Sequence, residues 1–202
     1  RRWSRRNNRP RAMANYFEQG LRNGRKPSRA KSAKAPPALQ QGEPPQGQLD
    51  DLISFMNQRR MQEAAKQASA MAAEFPSSAI LFNILGAAHM GLGNKDRAIE
   101  NFKKALYLKP GYAEAHNSLG IALQAQGLLD EAIASYDKAL QIKPELAEAH
   151  NNRGAALKDQ GRLEEATHGF GRALQISPRF AEAYNNLGAA LKQQGRVDEA
   201  IA

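Results

Sequence analysis

Small, apolar and polar positions recur along the chain with a period of 34 residues. The period is marked by Pro76, Pro110, Pro144 and Pro178. When this proline is numbered position 32 of each unit, position 8 is glycine in four units and position 20 is alanine in five. A short unit of this kind cannot bury its apolar face alone and must stack on its neighbours. The sequence therefore predicts a stacked array.

Each unit has the pattern of two helices. Apolar or small residues at positions 4, 7, 8 and 11 share one helical face. Acidic residues at positions 18 and 19, such as Asp130 and Glu131, suit the first turn of a second helix, which the proline ends. Between the two helices, position 15 carries the glycines that favour a left-handed helix end, Gly93, Gly127, Gly161 and Gly195. The predicted fold class is all-α.

The pattern resembles the tetratricopeptide repeat (TPR): Leu-Gly at positions 7 and 8, Ala at 20, Phe or Tyr at 24, Ala at 27 and Pro at 32. The resemblance implies a right-handed α-solenoid of stacked antiparallel helix pairs. Full repeats are expected at 79–112, 113–146 and 147–180, with a truncated repeat at 181–202. Residues 45–78 fit less well, because Leu52 and Arg59 replace the glycines of positions 8 and 15. We predict a degenerate first repeat or a cap there.

The basic character of the chain is confined to its first part. Residues 1–49 hold 12 Lys+Arg against 2 Asp+Glu, a net charge of +10, whereas the other residues together have a net charge of −1. Residues 1–44 are rich in Pro, Gly and Lys and are predicted to form a disordered tail. Nonspecific contacts between this tail and nucleic acid are one possibility, and a solvated linker is the other. The chain is expected to be a fragment, with Met13 a plausible natural start.

Composition excludes several classes of function. The chain has no cysteine, which rules out disulfides, thiol nucleophiles and cysteine-based zinc sites. No apolar run approaches the length of about 20 residues that spans a membrane. With no signal peptide or transmembrane segment evident, a cytoplasmic protein is expected.

A second face of the first helix is the candidate binding site. Positions 2, 5, 9 and 12 form one stripe, and in tetratricopeptide repeat proteins this stripe faces the concave groove. The candidates on or beside it are Asn83, Glu114, Asn117, Gln124, Glu148, Asn151, Asn152, Lys158, Glu182, Asn185, Asn186 and Lys192.

Asparagine occupies position 5 in four units, although it is a mediocre helix former. Amide side chains both donate and accept hydrogen bonds, so a row of them suits an extended peptide backbone. The row is similar to the asparagine ladder at position 6 in O-linked N-acetylglucosamine transferases. Here position 6 is asparagine only at Asn152 and Asn186, with Ile84 and Ser118 in the other units. Alternatively, the asparagines serve solubility or hydrogen bonds between helices.

Other candidate chemistry is weaker. The carboxylate clamp of chaperone-binding relatives needs basic residues at position 5, where this chain has asparagine. His116 and His150 both occupy the packing position 4, and no histidine spacing suits a metal ion; we expect neither a metal nor a cofactor. Arg153 replaces a leucine at position 7, so its charge must extend to solvent or reach an acidic residue. Gly169 and Gly171, inside a second helix, predict that the third full repeat is the loosest.

Two functions are compatible with this sequence. The first is a protein-interaction scaffold that binds an extended peptide or a helix of a partner in the concave groove. The second is the substrate-recruiting arm of a larger enzyme, a glycosyltransferase of the O-linked N-acetylglucosamine type or a sulfotransferase. No catalytic constellation is present, so the chain itself is not expected to be an enzyme. Its oligomeric state is left open.

Overall fold

A computed structural model describes residues 42–196. Within this range the chain forms nine α-helices and no strand: α1 (Gln46–Asn57), α2 (Met61–Glu74), α3 (Ala79–Gly91), α4 (Lys95–Leu108), α5 (Ala113–Ala125), α6 (Leu129–Ile142), α7 (Ala147–Asp159), α8 (Leu163–Ile176) and α9 (Ala181–Gln193). Residues 1–41 of the predicted tail, with the proposed start at Met13, and the end of the last repeat (197–202) lie outside the described residues. None of the described helices is long and apolar enough to cross a membrane.

The turn within each pair has one residue in the left-handed conformation. Gly93, Gly127, Gly161 and Gly195 have φ between +76° and +82°, in the left-handed region where a side chain is unfavourable. In the pair α1–α2 the same corner is made by Arg59, with φ of +58°. Residues 46–74 therefore form a hairpin with the same turn geometry. Their assignment as a degenerate repeat or a cap stays a prediction.

Small residues allow the two helices of a pair to approach closely. A Cβ atom added at Gly120 would lie 2.5 Å from the ring of Tyr136, and one at Gly154 would lie 2.7 Å from the ring of Phe170. Both rings are fully buried. Position 8 must therefore lack a side chain so that the aromatic ring of position 24 can lie flat against the first helix. This packing explains why glycine at position 8 accompanies an aromatic residue at position 24 in the three full repeats.

One apolar core joins consecutive pairs. It extends from Ala98 in α4 to Ala190 in α9 without interruption, and a second cluster joins α1 and α2 to α3. Because each pair supplies only part of the core, neighbouring pairs stabilise one another. The predicted all-α solenoid of stacked helix pairs is confirmed.

The contacts between pairs show which side is concave. Each first helix contacts the next first helix, in the pairs α1–α3, α3–α5, α5–α7 and α7–α9. Among the described helices, no second helix reaches the next second helix. The first helices are therefore closer together and form the inner wall of a curved array, while α2, α4, α6 and α8 form its outer wall.

Arg153 has an acidic partner. Its Nε donates to Oδ1 of Asp137 on the preceding second helix at 2.6 Å. The sequence required the charge of Arg153 either to extend to solvent or to reach an acidic residue, and the structure shows the ion pair. The arginine thus covers the outer surface between two repeats, where Leu119 lies in the preceding repeat.

Candidate functional site

The stripe of positions 2, 5, 9 and 12 lies on the first helices, on the concave side. Glu114, Glu148 and Glu182 are exposed at the start of their helices, and Lys192 is exposed near the end of α9. Their positions follow from the helical period, which carries this stripe away from the core-facing positions 4, 7, 8 and 11. In α5, α7 and α9 the stripe is polar at its edges, whereas α3 has Ile80 and Met90 there; position 9 is small or apolar, as at Ala155.

The asparagines form hydrogen bonds between repeats. Nδ2 of Asn152 donates to Oδ1 of Asn117 at 3.1 Å, and Nδ2 of Asn186 donates to Oδ1 of Asn151 at 3.0 Å. In both cases position 6 of one repeat donates to position 5 of the repeat before it. The bonds fix the spacing of the first helices along the concave wall. This is the interhelix role that the sequence left open.

Asn151 is buried within this hydrogen-bond network. Its side chain is 1% exposed, and its Nδ2 donates to Oε1 of Glu182 at 3.1 Å while its Oδ1 accepts from Asn186. Both ends of the amide therefore have protein partners. A peptide in the groove would not reach this residue without breaking bonds of the scaffold.

Other asparagines keep polar groups unused. Nδ2 of Asn117 has no hydrogen-bond partner among the described residues, and the side chain of Asn185 is exposed. Oδ1 of Asn83 is buried and unpartnered among the described residues, because Ser118 stands where Asn152 and Asn186 stand in later repeats. The four asparagines at position 5 are therefore in four different states, although the sequence repeats.

Gln124 is bonded on both sides. Its Oε1 accepts from the buried Tyr136 hydroxyl at 3.0 Å, and its Nε2 donates to Asp159 of the next repeat at 2.9 Å. Burial raises the pKa of Tyr136, and the Asp159 carboxylate adds to this effect. The tyrosine thus stays neutral and donates. Sequence reasoning did not identify Tyr136 or Asp159 as neighbours of the stripe, since the contact depends on the stacking of two repeats.

One carboxylate of the stripe has a cationic partner. Lys143 Nζ lies 2.9 Å from Oε1 of Glu114, and this hydrogen bond is the main reason why the pKa of Glu114 is lowered. Glu114 is therefore ionised at neutral pH. Glu148 and Lys158 lie near the start and the end of α7 in the next repeat, so the wall presents both signs of charge.

Two residues near the first full repeat were missed by the sequence analysis. The pKa of Tyr112 is raised by burial and then by the carboxylates of Glu114 and Glu43. The hydroxyl of Ser78 donates to Glu43, a residue just before α1. The described chain therefore enters the solenoid beside the start of α3, the helix that carries Asn83. No sequence period relates residue 43 to the repeats, which is why it gave no signal.

The histidines at position 4 form hydrogen bonds with the turn before their helix. Nε2 of His116 lies 3.0 Å from the carbonyl of Pro110, and Nε2 of His150 lies 2.9 Å from that of Pro144. Each ring thus ties a first helix to the turn before it. In the described part of the chain, no group of three His, Asp or Glu residues is arranged to hold a metal ion.

The comparisons with known proteins agree with this architecture. A family model described as TPR repeat matches residues 86–127, 125–161 and 154–195. A crystal structure of MamA is 25% identical and has a TM-score of 0.65, with 74% of this chain and 88% of that chain covered. PilF of Pseudomonas aeruginosa is 18% identical with a TM-score of 0.71, and covers 77% of this chain and 71% of that chain.

A third similar structure is the first TPR of Spaghetti (RPAP3) bound to an HSP90 peptide. It is 23% identical with a TM-score of 0.57, and covers 58% of this chain and 94% of that chain. No curated protein matched the sequence. The structural similarities establish the fold, and the repeat model spans more than half of the residues. The chain therefore belongs to the tetratricopeptide repeat family.

Proposed function

We propose that the chain is a protein-interaction scaffold that binds an extended peptide of a partner along its concave wall. The repeat family supports a protein-binding role of this kind. The observation that carries the proposal is a rigid wall with unused polar groups. Asn117 keeps a free amide nitrogen and Asn185 is exposed, while the bonds of Asn152 and Asn186 hold the helices that present them.

The spacing of the wall suits an extended chain. Packed helices lie about 8–10 Å apart, and an extended peptide rises about 3.3 Å per residue. Equivalent positions of neighbouring repeats therefore meet about every third residue of the peptide. Asn117 and Asn185 are two repeats apart, so they reach backbone groups about six residues apart. Backbone contacts of this type bind without requiring one particular sequence.

The charges of the wall determine which peptides fit. Glu114, Glu148 and Glu182 oppose an acidic peptide at the helix starts, whereas Lys158 and Lys192 attract acidic groups near the helix ends. The HSP90 peptide in the similar Spaghetti structure is SRMEEVD, which is acidic at its end. We propose a peptide of mixed charge for this chain. An affinity on the order of micromolar, or about −8 kcal/mol, is expected for so few repeats.

Panning a random peptide library on the immobilised chain, followed by fluorescence anisotropy with the selected peptides, tests the proposal. Asn117→Ala combined with Asn185→Ala should weaken binding about tenfold, because two hydrogen bonds to the peptide are lost. The matched control is Asn101→Ala, since Asn101 lies on a second helix and its amide bonds only the Arg97 carbonyl. Unchanged affinity in the double variant, for every selected peptide, would refute the concave site.

The role of a recruiting arm for a larger transferase is the alternative. The two asparagines at position 6 already donate their amide nitrogens to Asn117 and Asn151. A substrate chain would therefore meet only their Oδ1 atoms, which accept from backbone N–H groups. Sequencing the gene downstream of residue 202 tests this alternative. We propose no reaction for the repeats themselves.

A further inference from the structure

The outer wall has an apolar hollow between the first and second full repeats. Two adjoining depressions of about 350 and 410 Å³ lie between α4 and α6 and share Leu106, His116 and Lys138. Tyr107 borders the first depression and is 85% exposed, and Ile142 borders the second. The exposed Tyr107 ring is available to pack against a partner's side chain.

The next step of the same solenoid, between α6 and α8, carries paired charges. Arg153 of α7, the helix beneath that gap, forms an ion pair with Asp137 of α6 at 2.6 Å, and Arg172 of α8 lies 3.6 Å from Glu145. One repeat earlier, the positions of Arg153 and Asp137 are held by Leu119 and Lys103. These two cannot form an ion pair. The step with the hollow, here called the open step, thus differs from the next step in the charges that its equivalent positions carry.

The open step has one sign of charge. Lys103 and Lys138 are exposed at its rim, and neither forms an ion pair among the described residues. No acidic residue is among the described residues that line the two depressions. We call this surface, formed by Lys103, Leu106, Tyr107, Lys138 and Ile142, the outer patch. It combines an apolar floor with unpaired cations.

We propose that the outer patch binds an acidic peptide segment of a partner protein, with one apolar or aromatic side chain of that segment in the hollow. The cations of Lys103 and Lys138 attract the acidic groups on either side, and Tyr107 packs against the inserted side chain. The first 49 residues of this chain carry 12 Lys+Arg, so their charge does not complement the lysines of the patch, and the proposed occupant is an acidic segment of a partner. This site lies on the opposite wall from the concave groove and does not depend on it.

The probe is a fluorescein-labelled nine-residue peptide with one phenylalanine flanked by aspartate and glutamate. It is titrated into the full 202-residue chain and followed by anisotropy. The test variant combines Lys103→Asp with Tyr107→Gln, which installs the residues that the next repeat carries as Asp137 and Gln141. Both substituted residues are exposed, so the fold is preserved, and circular dichroism checks this. The control is Lys66→Asp, an equal change of charge on α2, away from the patch.

The expected result is a dissociation constant raised about tenfold in the double variant and unchanged within about twofold in the control. A peptide with glycine in place of phenylalanine should bind the original chain about tenfold more weakly. Amide signals of α4 and α6 should shift in a ¹⁵N-labelled chain when the peptide is added. Equal binding by all variants, as would occur if the basic first residues captured the peptide, overturns the proposal. So do signal shifts confined to α5 and α7, which would indicate the concave wall, or self-association as the only observed binding.

Discussion

Replacing Asn151 by alanine tests whether the asparagines hold the repeats together. The side chain is 1% exposed, accepts from Asn186 at 3.0 Å and donates to Glu182 at 3.1 Å. Each buried hydrogen bond contributes about 1 kcal/mol net. Alanine recovers about 0.6 kcal/mol of helix propensity, but the lost packing of the larger side chain costs a similar amount. We expect the free energy of unfolding to fall by about 2 kcal/mol.

The same substitution at equivalent positions provides the controls. Asn117 is half-buried and loses one bond, from Asn152, so Asn117→Ala should cost only about 0.5 kcal/mol after the gain in helix propensity. Asn185 is exposed, and Asn185→Ala should stabilise by about 0.5 kcal/mol. The three residues share one position of the repeat, so the repeat pattern alone predicts equal effects.

Urea denaturation followed by circular dichroism measures these differences. With a denaturant slope of about 2 kcal/mol/M, Asn151→Ala should lower the unfolding midpoint by about 1 M. The loss should fall mainly on the last repeat, because the bonds of Asn151 join α7 to α9. Equal midpoints for the three variants would refute the assignment of a structural role to Asn151. Because Asn151→Ala weakens the scaffold itself, it is unsuitable as a probe of peptide binding.

Three further predictions concern single residues. Arg59→Gly should stabilise by about 1 kcal/mol in urea denaturation, since φ at Arg59 is +58° and glycine adopts this conformation without a steric cost; an unchanged midpoint would contradict this. Gly171→Ala should stabilise by about 1 kcal/mol and increase hydrogen-exchange protection of α8, because a Cβ there meets nothing within 4 Å. Gly169→Ala should not stabilise the chain, since its Cβ would lie 3.2 Å from a backbone oxygen of α7. Burial lowers the pKa of His116, as does the Lys138 cation, against an opposing hydrogen bond with the Pro110 carbonyl. The unfolded chain therefore binds the proton more tightly, and stability should fall as pH drops through about 6.5. His116→Gln should reduce this dependence in urea midpoints compared between pH 8 and 5.5, both about one unit or more from that value.

The fold could be predicted because its signals are local and repeated. Glycine at position 15, alanine at position 20 and proline at position 32 each determine a backbone feature within a few residues of themselves. Gly120 and Tyr136 co-occur because one must leave room for the other. The acidic partner of Arg153 was partly foreseen, since a charge at a packing position needs one, but its identity as Asp137 required the stacked repeats.

The candidate site was less predictable. The sequence identifies which residues share the face that the family places on the concave side, but Asn83, Asn117, Asn151 and Asn185 occupy one position and differ in burial and bonding. Their states depend on position 6 of the next repeat, which is serine for the first and asparagine for the next two. A residue 35 positions away therefore decides whether an amide is available. Periodicity within a single helix cannot show this.

By itself the sequence determined the helix pairs, their turns and their order, because a period of 34 residues repeats the same local rules in every unit. Only the tertiary structure decided which of the repeated polar residues bond to other repeats and which surfaces are available to a partner. The reason is that hydrogen bonds and ion pairs between repeats join residues of different units. The amide of Asn151 is bonded to Asn186 and Glu182, and Arg153 pairs with Asp137 at one step of the outer wall, where the step before has Leu119 and Lys103.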